Sequence, residues 1–360
     1  MQIEIISFTS QGSSLAKKIK EIMKVYGNVQ VTSGKEKNIS LQTWTENAFS
    51  KAQVLIFVGA AGIAVRAIAP FVQDKFKDPA VLVVDEKGTY VIPVLSGHVG
   101  GANAYALQLA EKLQAQAVIT TATDINQKFA VDVFAKKNQL FIKDRVWAKE
   151  ISAAILGGEK IGFFCEGQVT GTIPEEVVTE QVIGTMPEEV VAEQVIGTMP
   201  EEVVAEQGKV TEKYRINVGI HNTCQLIPKA VTVGIGCRKG KSAEEIEIFV
   251  LEQLGKQQIA MESISCVASV DKKKNEAGIL AFCEKYGLEF QTFSPEELER
   301  VPGEYTQSEF VEKTIGVGNV CERAAICAWK QNRAHILQPK TAQNGKTLAI
   351  AEKEWSVRFE

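Results

Sequence analysis

The stretch "YVIPVLSGHVGGANAYALQLAEKL", residues 90–113, decides how the chain is read. It opens on an apolar run, passes through small and turn-forming residues, and ends with apolar side chains at helical spacing. That order spells strand, glycine junction and amphipathic helix. His98 stands inside the junction, between Gly97 and Gly100. Two readings of it are open at this point: a reactive imidazole presented at a helix N-terminus, or a tight turn whose imidazole caps a backbone group.

The same alternation extends outward on both sides. "IEIISF", "VLIFVG", "AVLVVD", "AVITT" and "IGFF" read as strands, several apolar enough to be buried on both faces. "SSLAKKIKEIMKVYG" places Leu15, Ile19, Ile22 and Met23 on one helical face, with Ser13 or Ser14 as its cap and Gly27 as its stop. Strand and helix in alternation predict a mostly parallel sheet covered by helices. A second such pattern starts at "YRINVGI", residue 214. It includes a helix capped by Ser242 with Glu245 three residues on, a short helix with Pro295 in first position, and two final strands, "AHILQPKT" and "KTLAIAEK". The expected fold class is α/β: two Rossmann-like three-layer α/β domains, 1–140 and 229–360, joined by a small variable middle region, 141–228.

That middle region holds a tandem repeat. Residues 168–206 read QVTGTIPEEVVTE, QVIGTMPEEVVAE, QVIGTMPEEVVAE, three units of thirteen with nine glutamates and no basic residue. A strand and turn, "EEVVAEQVIGT", expanded by duplication is one reading, and an acidic docking arm is the other. The whole chain of 360 residues carries a net charge of −4, so the remainder stands at +5, which suits an anionic ligand. The composition is that of a soluble globular protein, no apolar run is long enough to span a bilayer, and "MQIEIISFTS" does not have the form of a secretory leader. A cytoplasmic protein is expected, with neither membrane nor nucleic acid as partner. Seven cysteines without a C-x-x-C pair read as free thiols, against a zinc site or a disulfide framework.

In an open α/β sheet, ligands gather where strands give way to helices, because unpaired N–H groups and the helix dipole point there. Four junctions here are rich in small residues: "VGAAGIAVRAIAP" (58–70), "LSGHVGGANAY" (95–105), "VGIGCRKGKSAEE" (233–245) and "TIGVGNVCERAA" (314–325). "GIGCRKG" is not G-x-G-x-x-G and no phosphate-loop spacing appears, which weighs against a nucleotide. At the His98 junction, Gly97, Gly100 and Gly101 permit close approach, Asn103 can donate and accept hydrogen bonds, and a helix from Ala102 adds positive potential. Arg66 either holds a carboxylate or extends into solvent. "TTATDINQKFAVD" offers Thr120, Thr121, Thr123 and Asp124, the last equally an N-cap for a helix starting at Ile125. Arg238, Lys239 and Lys241 at a helix start oppose its dipole, which hints that an anion comes there.

These residues carry a resemblance. "FVGAAGIAVRAIAP", "DKFKDPAVLVVDEKGTYVIPVLSGHVGGANAYALQLA" and "VITTATDINQKFAVD" resemble the N-terminal domain of the cobalt-precorrin-5A hydrolases of anaerobic cobalamin biosynthesis. "VGIGCRKGKSAEEI", "SVDKKKNEAGILAFCEKYGLEF", "SEFVEKTIGVGNVCERAA" and "LQPKTAQNGKTLAIAE" resemble that family's C-terminal domain. The tandem repeat is the one departure. The resemblance implies a carbon–carbon bond hydrolase of the ketonic-substrate type. Such an enzyme opens the δ-lactone of cobalt-precorrin-5A, between the former C20 meso carbon and the ring A acetate, to give cobalt-precorrin-5B, and C20 leaves with its methyl group as acetaldehyde.

Under that resemblance His98 is the expected base and Asp124 its orienting partner, with N–H groups near Gly100 and Gly101 facing the oxyanion. Arg66, Arg238 and Lys239 are expected to hold peripheral carboxylates, with Gly97, Asn103, Thr121, Gly236, Gly318 and Asn319 completing the substrate-binding set. No protein metal site and no cofactor are implied, since the substrate carries the cobalt. The implied partners are the cobalt-precorrin, neighbouring methyltransferases of the pathway, and a second copy of the chain in a homodimer. The C-terminal domain also resembles a protein found alone in the aerobic route, which places the chemistry in the N-terminal domain. The alternative is a non-catalytic carrier that binds an unstable corrinoid and hands it on.

Overall fold

The computed structural model describes residues 1–34, 40–74, 77–98, 100–126, 128–179, 214–308, 312, 316–329 and 333–359. The second and third repeat units, with the strand and turn expected in them, lie outside the described residues. The chain divides into two compact units, Met1–Val133 and Phe134–Glu360.

The first unit runs β1 (Gln2–Ser7), α1 (Ser10–Met23), β2 (Asn28–Ser33), α2 (Leu41–Lys51), β3 (Val54–Val58), α3 (Ala61–Ile68), β4 (Ala80–Val84), β5 (Tyr90–Leu95), α4 (Ala102–Leu113), β6 (Gln116–Ala117) and α5 (Ala122–Ile125). The strands form one sheet in the order β2-β1-β3-β4-β5-β6. Every residue of β3 and β4 is buried, because helices cover both faces. Val54 and Ile56 point to a cluster with Ile19 and Met23 of α1 and Leu109 of α4. Leu55 and Phe57, one residue out of phase, point to Trp44 of α2 and Ile68 of α3. Three layers result. The cap of α1 is Thr9, whose hydroxyl accepts the Gly12 N–H at 2.9 Å; Ser13 and Ser14 lie inside the helix and do not cap it.

The sheet departs from the expected mostly parallel arrangement at one place. β1 to β4 run parallel, but β5 is antiparallel to β4, and β6 is parallel to β5. The cause is the short connection between β4 and β5. Asp85 accepts the N–H groups of Lys87, Thr89 and Tyr90, and Gly88 takes φ +71°. So short a turn closes a hairpin, whereas a parallel crossover needs about a dozen residues or more. Leu95, the end of β5, therefore stands opposite Val81, near the start of β4.

The second unit holds two larger sheets. After α6 (Val131–Lys137), which crosses the boundary, come β7 (Leu140–Ile142), α7 (Arg145–Leu156), β8 (Ile161–Cys165), β9 (Gln168–Thr170), β10 (Val177–Thr179), β11 (Arg215–Val218) and β12 (Leu226–Pro228). All but β9 of these strands join in the order β10-β8-β11-β12-β7. Next come β13 (Val231–Cys237), α8 (Ala243–Lys256), β14 (Ile264–Val270), α9 (Ala277–Tyr286), β15 (Glu289–Phe293), α10 (Pro295–Glu299), α11 (Cys321–Cys327), β16 (Ala334–Gln343), β17 (Lys346–Lys353) and β18 (Ser356–Arg358). The final sheet is ordered β15-β14-β13-β17-β16. Phe249 of α8 and Phe282 of α9 cover one face, and Leu298 of α10 and Ala324 of α11 cover the other. Gly234 of β13 permits this packing, since a Cβ there would lie 1.8 Å from the Cys321 carbonyl oxygen. Ser242 with Glu245 and Ser294 with Glu297 form capping boxes, and Pro295 opens α10.

The chain's last strand returns to the earlier sheet region. β18 pairs in parallel with β9, and the ring of Phe359 lies 4.7 Å from Phe134 and 5.0 Å from Phe163. These contacts hold residues from Phe134 onward in one compact unit. All seven cysteines are free thiols. Among the described residues no helix is long and apolar enough to cross a membrane.

Candidate active site

Because β5 and β6 are parallel to one another, the loops that follow them leave the same edge of the sheet. The loop after β5 is tightly wound. Ser96 adopts φ +55° and its buried hydroxyl donates to the Asp78 carbonyl at 3.0 Å. The N–H groups of Gly101, Ala102 and Asn103 donate to the carbonyls of His98, Ser96 and Gly97 at 3.0, 3.1 and 3.0 Å. The first donors of α4 thus close the loop itself. The expected oxyanion role of the Gly101 N–H is corrected by this geometry, since that donor is already engaged. Gly100 is required by contact, because a Cβ would lie 2.3 Å from that of Ser96; Gly97 backs onto the carboxamide of Asn103.

The loop after β6 supplies the rest. Asn103 is buried, and its Nδ2 donates to Thr121 Oγ1 at 2.9 Å and to Asp124 Oδ2 at 2.6 Å. His98 Nε2 stands 2.5 Å from the same Asp124 oxygen and 2.8 Å from Thr123 Oγ1. On the other side of the ring, Nδ1 is 3.7 Å from Asp132 Oδ1. The side chains of His98 and Asp132 are 14% and 11% exposed, that of Asp124 38%, so the last is the group that solvent or substrate meets. The neighbouring carboxylate of Asp132 is the chief cause that raises the His98 pKa above 6.5; burial opposes it and the charge of Asp124 adds to it. The ring is therefore held toward its imidazolium form between two carboxylates.

Asp124 is not the N-cap of a helix starting at Ile125. It lies inside α5, which ends at Ile125, and α6 begins only at Val131. Sequence reading missed Asp132. Its one signal is a carboxylate amid "FAVDVF", where a buried position requires a partner.

Arg66 does not join this cluster. The Gly59 N–H donates to the Val84 carbonyl, so the loop after β3 lies at the end of β4, whereas the end of β5 lies near its start. The length of a five-residue strand, about 17 Å, separates the two edges. Arg66 is exposed, with its guanidinium beside Gly62.

At the end of β13, the internal anions partly answer the cations of the third junction. Lys241 pairs with Glu245 at 2.6 Å, and Glu276 accepts the Gly240 N–H at 2.7 Å and pairs with Lys273 at 3.1 Å. Arg238 and Lys239 are exposed, and Gly236 lies against Thr347. Asn319 is fully buried. It donates to the Thr306 carbonyl and to Glu322 and accepts the Glu322 N–H, so its carboxamide is committed to the fold and not presented to a ligand. Gly318 adjoins Gln307.

Three family models match consecutive spans of the chain: Cobalamin synthesis G N-terminal over 43–124, Cobalamin biosynthesis central region over 129–205 and Cobalamin synthesis G C-terminus over 231–351. The cobalt-precorrin-5A hydrolase of Salmonella typhimurium is 32% identical over 304 residues, covering 84% of this chain and 83% of that protein. The protein of the same name from Priestia megaterium is 31% identical, covering 96% and 94%. Among solved structures, a cobalamin biosynthesis protein G homologue from Sulfolobus solfataricus covers 98% of this chain and 97% of its own at 23% identity, with a TM-score of 0.40. His98 and Asp124 fall inside the first matched span and Asp132 inside the second.

Proposed function

The chain belongs to the cobalt-precorrin-5A hydrolase family, and on that premise we propose that it opens the δ-lactone of cobalt-precorrin-5A to give cobalt-precorrin-5B and acetaldehyde. Water adds to the lactone carbonyl, the bond from that carbonyl to the C20 oxygen breaks, and the C20 hydroxyl is freed. Loss of the hydroxyl proton then breaks the bond between C20 and the macrocycle. C20 departs with its methyl group as acetaldehyde, and the electron pair left on the ring carbon takes up a proton.

The observation that supports a site for this chemistry is His98 held at both ring nitrogens by carboxylates. With Nε2 already occupied, the base is best read as the Asp124–His98 pair and not the imidazole alone. Asp124 Oδ1 accepts no hydrogen bond among the described residues, and it takes the proton of the attacking water. Asp124, steadied as a carboxylate by the neighbouring imidazolium across the 2.5 Å contact, then returns that proton to the C20 oxygen. The basic charge of the chain outside the repeat is in keeping with a substrate that carries many carboxylates. Cobalt enters and leaves inside the macrocycle.

Purified protein incubated with cobalt-precorrin-5A is expected to release acetaldehyde, measured by coupled reduction with an alcohol dehydrogenase. His98→Ala and Asp124→Asn are each expected to slow release by about 10²- to 10⁴-fold with the circular dichroism unchanged. Release at the wild-type rate from a folded His98→Ala variant overturns the site assignment. Corrinoid binding by the wild type without acetaldehyde makes the protein a carrier.

A further inference from the structure

The second compact unit contains a histidine–carboxylate pair that the lactone chemistry does not use. His221 stands in the loop between β11 and β12. Its Nδ1 is 2.6 Å from Glu166 Oε1, while Glu166 Oε2 accepts the Ile220 N–H at 2.7 Å. The buried Cys224 thiol donates to the same carboxylate at 3.5 Å. A glycine at 219 makes room for it, since a Cβ there would fall 2.1 Å from the Glu166 carboxyl. The loop is fixed from outside as well: the Asn222 N–H donates to the Gln258 carbonyl at 2.7 Å, and Lys143 Nζ donates to the Asn222 carbonyl at 2.6 Å.

This arrangement aims one nitrogen outward. A ring that donates Nδ1–H to Glu166 carries its lone pair on Nε2, and Nε2 makes no hydrogen bond among the described residues, although the Glu352 carboxylate lies within electrostatic reach of the ring. The side chain is 42% exposed, against 21% for Glu166 behind it. A carboxylate behind an imidazole fixes its tautomer and orientation, which is how proteins prepare a histidine to ligate a metal. Yet the site is too poor to hold a free ion. Among the described residues no group of three or more histidine, cysteine, aspartate or glutamate side chains is placed to hold one. The Cys224 thiol is buried and donates to Glu166, so it is not presented beside the outer ring nitrogen. One prepared nitrogen suffices only for a metal whose other positions are already filled, as when a macrocycle occupies the four equatorial sites.

We propose that His221, oriented by Glu166, is an axial ligand to the cobalt of the bound corrinoid. The inference rests on the reading of the substrate as a cobalt corrinoid, and it assigns no step of the hydrolysis to His221. Cob(II)inamide, which has no nitrogenous base of its own, is the probe. Bound to the full chain, its cobalt hyperfine lines in electron paramagnetic resonance are expected to split into triplets from a single axial ¹⁴N. Protein made with ¹⁵N-imidazole histidine is expected to give doublets, a result that needs no variant. His221→Ala, at a half-exposed loop position, is expected to fold and to lose the splitting, and His98→Ala to keep it. Glu166→Gln is expected to weaken cob(II)inamide binding about tenfold. Binding without nitrogen splitting, splitting that survives His221→Ala, or no binding of cob(II)inamide each overturns the proposal. Acetaldehyde release is read separately: splitting without release leaves the ligand in place and overturns the hydrolase reading, and release without splitting does the reverse.

Discussion

His98 has Asp124 against Nε2 and Asp132 facing Nδ1, and the second contact sets its charge. Asp132→Asn removes the largest upward influence, so the pKa of His98 falls toward its ordinary 6.5. With the imidazolium as the working form, kcat/KM declines as pH rises through that pKa. The variant's declining limb is therefore expected at lower pH, read from acetaldehyde release across a pH series. Movement of a rising limb instead would make the neutral ring the working form. Stability follows the same sign: a raised pKa stabilises the fold below the unfolded value and the gain is lost as pH rises through the folded one. Of these residues, His98, Asn103, Thr121 and Asp124 were singled out in the sequence, the first two in a glycine-rich strand–helix junction and the last two at the end of another strand. Asp132 was not, since an acidic residue near a helix start reads equally as a favourable partner of the helix dipole.

The elements that carry the site are β5, α4 and β6, a crossover unit that runs against the rest of its sheet. Apolar runs such as "AVLVV" and "YVIPVL" announced strands but not their direction. Direction was written in the short "DEKGT" connection, where Asp85 and Gly88 close a hairpin, and in its length. That reversal sets Arg66 and His98 at opposite edges of the sheet. Within the unit the fit of the loop is the vulnerable point. In Gly100→Ala the new methyl group meets Ser96 Cβ and its carbonyl oxygen, 2.3 and 2.6 Å away, and backbone must move. Because His98 lies in that loop, kcat/KM for acetaldehyde release is expected to fall on the order of 10²-fold. The melting temperature should drop only a few degrees, since the β3 and β4 core is untouched. An unchanged rate would mean that the loop yields without moving His98.

At the scale of the whole chain, the α/β class was legible from the alternation of strand and helix patterns. The pairing of β9 with β18 was not, because strands that meet across so much sequence leave no local mark on either. Charge was legible, and it carries a last prediction. The two identical repeat units, 181–206, hold six of the nine repeat glutamates, so deleting both moves the chain from −4 to +2. A polycarboxylate substrate is repelled less by the shortened chain, while the cluster from His98 to Asp132 lies wholly within Met1–Val133. KM is therefore expected to fall at low ionic strength with kcat unchanged. The difference should vanish toward 1 M salt, where charges are screened beyond about 3 Å. A collapse of kcat on deletion, or a KM gain that persists in high salt, would show that the repeat acts through contact and not through its field.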